Sequence, residues 1–216
     1  MRALPVVLAA LAFATAGCGG ESDETTEPVG SGSGECASVE APEPREPGSN
    51  EAPTGPLPAG KTYALTLETS CGSFTVTLDA ALAPNTSASL VALARDGYFD
   101  DTIFHRVLPG FVIQGGDPTQ AGSGGPGYST VDVPPSDAAY TKGVVAMAKS
   151  PVEAPGTAGS QFFVVTAEDA GLPPEYAIVG EVTDGLDVVE HIGELGDESE
   201  QPTQPVVIRT VTVTES

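Results

Sequence analysis

Basic side chains are scarce in this sequence. Eight Lys and Arg stand against 30 Asp and Glu, a formal charge of −22, which disfavours binding to nucleic acid or to an anionic membrane surface. Charge of this size keeps a protein soluble and calls for no cationic partner. Histidine is scarcer still. His105 and His191 are the only two, and no close ligand spacing links them to the carboxylates, so neither a metal nor another cofactor is expected. No Ser or Cys has a base and an orienting partner by motif, which leaves hydrolysis unsupported. The glycine-rich run at 122–127 lacks the Lys-Ser/Thr ending of a phosphate loop.

Long apolar runs are missing except for one, residues 3–16, behind the single basic residue Arg2. It is too short and too weakly flanked for a membrane span and has the layout of a secretory signal peptide. The run ends in Thr15-Ala16-Gly17-Cys18, which resembles the bacterial lipobox, with Thr15 where Leu is usual. That resemblance implies removal of residues 1–17, acylation of Cys18, and a protein held outside the cytoplasm on the bacterial membrane. A plain signal peptide with a secreted product is the alternative. Beyond Cys18 the cysteines are Cys36 and Cys71. In a compartment where disulfides persist they are expected to pair, for roughly 3 to 4 kcal/mol on the chain-entropy model, against the alternative of two free thiols. Residues 19–60 are Gly, Ser, Pro, Glu and Thr with hardly a large apolar side chain, too little surface to offset the entropy of ordering. A disordered acidic tether over 18–60 and one domain over 61–216 are therefore expected.

What is present after Lys61 is patterned. Tyr63, Leu65 and Leu67 alternate with polar neighbours, as do Phe74, Val76 and Leu78 beyond the turn at Ser70-Cys71-Gly72, which predicts a β-hairpin. Pro84, then Leu90, Val91, Leu93 and Ala94 at helical spacing, then Gly97 as a stop, predict a helix of about three turns. Short apolar runs at 111–113, 143–148 and 162–165 predict strands, and a weaker helical stretch at 186–192 precedes a β-branched run at 206–213. Many short strands with two helices point to a mainly β domain, closed or sandwiched.

Residues 104–128 read FHRVLPGFVIQGGDPTQAGSGGPGY. This stretch closely resembles the cyclophilin signature, in which FHR, a Pro, a Phe, QGGD and a glycine-rich loop follow at these intervals. Residues 142–148 with Gly159-Ser160-Gln161-Phe162-Phe163 resemble the family's next segment, and 177–182 with 185–192 its last strand and helix. The resemblance covers about 61–214. It implies a peptidyl-prolyl cis/trans isomerase built as a closed eight-stranded antiparallel β-barrel capped by two α-helices, with a substrate groove on the outer face.

The same resemblance assigns residues. Arg106 is the catalytic arginine, whose guanidinium donates to a substrate carbonyl and a pyramidal prolyl nitrogen. Gln114 binds substrate and orients that arginine, and Phe111 and Phe163 wall a proline pocket with Val112, where many members have Met, and Leu172 at its edge. Ala148 and Lys149 pair with the peptide backbone, although Asn is common at the latter position. Gln161 and residues 122–125 complete the groove floor and a neighbouring pocket. His105 is counted with the substrate-binding residues, yet alternation along a strand turns it from the face of Arg106, so it reads as structural rather than as a general base. Gly171 stands where many eukaryotic members have Trp, and Tyr176, also a substrate-binding position, where they have His. Tryptophan is absent from the chain, so cyclosporin binding is expected to be weak. The expected role is folding assistance to exported polypeptides by a monomer that takes proline-containing segments. A binding or holdase module with little turnover is the alternative, and a surface adhesin a third reading.

Overall fold

A computed structural model describes residues 35–216; Cys18 and the signal segment lie outside the described residues. In chain order the elements are β1 Tyr63–Thr69, β2 Gly72–Leu78, α1 Pro84–Arg95, β3 Thr102–Ile103, β4 Arg106–Leu108 and β5 Val112–Gly115. There follow β6 Thr130–Val131, β7 Val144–Met147, β8 Thr157–Ala158, β9 Phe162–Val165, β10 Ile178–Asp184, α2 Leu186–Glu194 and β11 Val207–Glu215.

The first hairpin forms as its alternation dictates. Tyr63, Leu65 and Leu67 are buried, and Leu65 and Leu67 pair across the ladder with Val76 and Phe74. Thr69 closes the turn, its hydroxyl donating to the Gly72 carbonyl at 2.6 Å and accepting the Cys71 N–H at 3.0 Å. Pro84 opens α1, where its missing N–H is no loss. The cap comes from far along the chain: the N–H and hydroxyl of Thr86 both donate to Asp132 Oδ2 at 2.7 Å, which places a carboxylate at the positive end of the helix.

Nine strands form one sheet in the order β3-β11-β1-β2-β10-β7-β9-β5-β4, and β6 pairs with β8 separately. This corrects the expected closed eight-stranded barrel. The two end strands, β3 and β4, are consecutive in the chain but share no ladder, because the run breaks at Phe104 and His105. The sheet still curls far enough that a Cβ on Gly115 of β5 would lie 3.2 Å from the Ile103 carbonyl in β3. The result is an open, strongly curled half-barrel whose ends are joined by chain rather than by hydrogen bonds.

Alternation along the strands then sorts the core. Ile113, Val145, Met147, Phe162 and Val164 belong to the large interior cluster, with α1 and α2 packed over it. Their neighbours Val112, Ala146, Phe163 and Val165 belong to a second, smaller cluster on the other face, joined by Tyr140. β5, β7 and β9 are apolar on both faces because each face meets a different apolar cluster.

The tether reading needs correction for part of its length. Residues 36–50 lie along the domain as an ordered arm. Cys36 is disulfide-bonded to Cys71 across a separation of 35 residues, a closure worth about 3 to 4 kcal/mol on the chain-entropy model. The N–H groups of Ala37, Arg45, Gly48 and Asn50 donate to the carbonyls of Ser70, Pro118, Gly125 and Pro126. Arg45 also donates to the carbonyls of Tyr98 at 2.6 Å and Asp100 at 3.0 Å. Composition measures apolar area, and the arm is held by backbone hydrogen bonds and a covalent link instead.

Candidate active site

Register places the site. Arg106 on β4 lies opposite Gln114 on β5, Gln114 opposite Phe163 on β9, and Phe163 opposite Ala146 on β7. One line of side chains thus crosses four strands on the outer face. On the next line but one, Val112 lies opposite Val165. Phe163 and Val112 are buried in the smaller cluster, and Phe111, Leu172 and Tyr176 pack against its edge. Phe163 and Tyr176 meet edge-on at 5.6 Å between ring centroids, and Tyr140 braces both. The Tyr140 hydroxyl donates to the Tyr176 carbonyl at 2.7 Å and accepts its N–H at 3.0 Å, which fixes the segment that carries Tyr176.

The outcome is a pocket of about 190 Å³. Phe111, Val112, Phe163, Leu172 and Tyr176 supply its apolar lining, and Arg106 and Gln114 its polar edge. Ala148 and Lys149 complete it. The Lys149 side chain is only 3% exposed, and its ammonium is taken up by Glu175 at 3.1 Å. Its polar edge is a guanidinium and an amide beside an apolar bed, a set suited to holding and polarising a ligand.

Arg106 is clamped from two sides. Its Nε–H donates to Glu200 at 2.7 Å and Nη1–H to Gln114 Oε1 at 3.3 Å, which leaves the other guanidinium N–H groups for a ligand. Glu200, between α2 and β11, went unnoticed in the sequence. It lies 94 residues from Arg106, has left-handed backbone with φ of 63°, and carries no motif that would have flagged it.

Gln161 does not line the apolar pocket but steadies it. Gln114 Nε2–H donates to Gln161 Oε1 at 3.1 Å, and Gln161 Nε2–H to the Gly124 carbonyl at 2.9 Å. The Gly124 N–H then donates to Asp117 Oδ2 at 3.1 Å. A Cβ on Gly124 would lie 2.1 Å from Asp117 Oδ1, so only glycine admits the carboxylate here. Burial pushes the Asp117 carboxyl up, but the Gly124 N–H and the hydroxyl and N–H of Thr119 outweigh it and hold the group below its ordinary range.

His105 is a correction. It does not line the pocket; a Cβ on Gly122 would lie 3.7 Å from its Nε2, so the ring packs under the 122–125 loop. Among the described residues neither ring nitrogen has a well-aligned hydrogen-bond partner. Burial pushes the imidazole pKa down, Asp117 pulls it partly back, and Arg106 lowers it again. A neutral ring beside Arg106 avoids placing two cations together.

Comparison with known proteins agrees with this geometry. The family model described as "Cyclophilin type peptidyl-prolyl cis-trans isomerase/CLD" matches residues 64–213. The chain is 37% identical to peptidyl-prolyl cis-trans isomerase A of Mycobacterium tuberculosis, over 70% of this chain and 92% of that one. It is 40% identical to the isomerase ppi1 of Schizosaccharomyces pombe, over 66% and 93%. A crystal structure of a Cryptosporidium parvum cyclophilin-type isomerase, solved in the presence of the dipeptide Ala-Pro, superposes with a TM-score of 0.64 at 30% identity, over 70% of this chain and 98% of that one.

His105 yields a stability prediction. Its folded pKa lies below the ordinary 6.5, so its contribution is complete above pH 6.5 and is lost as pH falls from there towards the folded value. The slope in that window is at most about 1.4 kcal/mol per pH unit. Chemical denaturation at pH 7 and pH 5.5 should show wild type losing more stability than His105→Gln. Equal losses would mean that the imidazole titrates normally.

Proposed function

The chain belongs to the cyclophilin family of peptidyl-prolyl cis-trans isomerases, and from that premise we propose that it accelerates rotation about Xaa-Pro bonds in exported polypeptides and so assists their folding outside the cytoplasm. The line Arg106–Gln114–Phe163 beside an apolar pocket is the observation that carries this reading.

Rotation about a peptide bond is slow because resonance gives the C–N bond double-bond character, and before proline it takes tens to hundreds of seconds. In the twisted state conjugation is lost and the prolyl nitrogen gains a lone pair. No bond is broken, so the site needs a seat for the ring and donors for the twisted amide. Phe111, Val112 and Phe163 offer the seat, and Arg106 the donors. A charge-assisted hydrogen bond of roughly 1.5 to 3 kcal/mol corresponds to one or two powers of ten in rate. Preorganisation by Gln114 and Glu200 supplies part of the rest, since a guanidinium already held need not be ordered during the reaction.

A second reading, a proline-segment-binding or holdase module with little turnover, is favoured by one contact. The Glu200 carboxylate sits against Arg106 and offsets the charge that the twisted amide would use.

Export and anchoring rest on the pattern of residues 1–18, and the Cys36–Cys71 disulfide suits an oxidising compartment. We place the protein on the outer face of the bacterial membrane, held by lipid on Cys18. Mass spectrometry of the mature protein should find acylated Cys18 as its first residue; an unmodified terminus elsewhere would remove the anchor.

Exchange NMR on an Xaa-Pro peptide, with the full chain, should show acceleration that falls at least tenfold in a folded Arg106→Ala variant. No acceleration by folded wild type would favour the binding module.

Gly171 precedes the pocket residue Leu172 and faces open space, and the chain has no Trp to cover that rim. Calorimetry should therefore find cyclosporin bound weakly; affinity as tight as that of tryptophan-bearing family members would overturn this.

A further inference from the structure

A second cleft, of about 740 Å³, adjoins the proline pocket, and Ala148 and Lys149 line both. Gln161 lies in its wall and is hydrogen-bonded to Gln114 in the pocket. An extended peptide seated on one therefore runs on into the other. The floor is glycine-rich, through Gly124, Gly125 and Gly159, so the space is kept free of side chains. One part of the wall is not made by the sheet or its loops. Pro47 and Gly48 of the arm line it.

That wall is built rather than incidental. The N–H groups of Gly48 and Asn50 donate to the carbonyls of Gly125 and Pro126 at 2.8 and 2.9 Å. Two glycines interlock at the contact. A Cβ on Gly48 would lie 2.8 Å from the Tyr98 ring, and one on Gly127, whose φ is +93°, 2.8 Å from the Gly48 carbonyl. The Arg45 side chain and the Cys36–Cys71 bond hold the arm at two further points.

We infer that the arm is a specificity-determining part of the substrate surface, with Pro47 facing the side chain of a residue that flanks the proline in the bound polypeptide. The inference rests on the isomerase reading and adds to it the element that selects neighbouring sequence. The cleft takes a long side chain, since it offers about 740 Å³ over a floor of glycines. Pro47 itself is exposed and its ring has no hydrogen-bonding group, so it can be exchanged without loosening the backbone bonds of Gly48 and Asn50.

The test gives residue 47 a charge. Full-chain Pro47→Glu and Pro47→Lys are compared on peptides carrying Lys or Glu at each position beside the proline. At one of these positions the ratio of kcat/KM for Lys over Glu peptides should differ about fivefold or more between the variants, and the difference should shrink in high salt. At the remaining positions it should stay flat. Gly48→Val, which pushes the arm off Tyr98, should lower kcat/KM for long side chains at that position on the order of tenfold and leave alanine there nearly unaffected. Ratios that do not move in either charge variant, or an equal loss on every peptide in Gly48→Val, overturn the inference. If wild type turns over none of the peptides, the isomerase reading fails separately. The same ratios measured as Kd by NMR titration, with shifts at the Gly48 and Asn50 amides, then decide the role of the arm.

Discussion

The site depends on a relay of amide groups that admits one orientation only. Gln114 must turn its oxygen to Arg106, which leaves its nitrogen for the oxygen of Gln161, whose nitrogen then reaches the Gly124 carbonyl. Each amide has one accepting and one donating end, so a guanidinium at the start settles every member in turn. The buried Asp117 carboxylate holds the far end through the Gly124 N–H. Arg106 is thereby linked to the floor of the second cleft, and the two recognition surfaces share one scaffold of polar contacts.

That scaffold stands on strands with a divided task. In β9, Phe162 and Val164 pack inwards while Phe163 and Val165 pack outwards. The inward set stabilises the sheet, and the outward set forms the bed of a pocket. Neither set stands free in solvent, which is why the strand shows no polar face and why the outer cluster, braced by Tyr140, is buried like a small core.

Much of the pocket was legible in the sequence. The signature run puts Arg106 and Gln114 opposite each other on two strands and Phe111 in the tight turn that joins them, and the structure brings all three together with Phe163, Leu172 and Tyr176. Alternation turned His105 from the face of Arg106, and the ring lies outside the pocket under the 122–125 loop, where the strand is broken at Phe104 and His105. The same break leaves the sheet open, a property that strand counting does not register. Glu200 and the arm were illegible for a different reason. Glu200 reaches Arg106 from a remote loop, and the arm is fastened by main-chain bonds, a disulfide and close-packed glycines, none of which leaves a trace in hydropathy.

Arg106 opens β4, the last strand of the sheet, with a laddered neighbour on one side only. On the other side the Glu200 carbonyl accepts the Val107 N–H at 2.9 Å, and a Cβ on Gly196 would lie 2.4 Å from the Val107 carbonyl. An uncovered edge strand is a template on which further chains can add. The segment that steadies the arginine is therefore also a guard against self-association, and sequence drift in it would be felt in colloidal behaviour as well as in turnover.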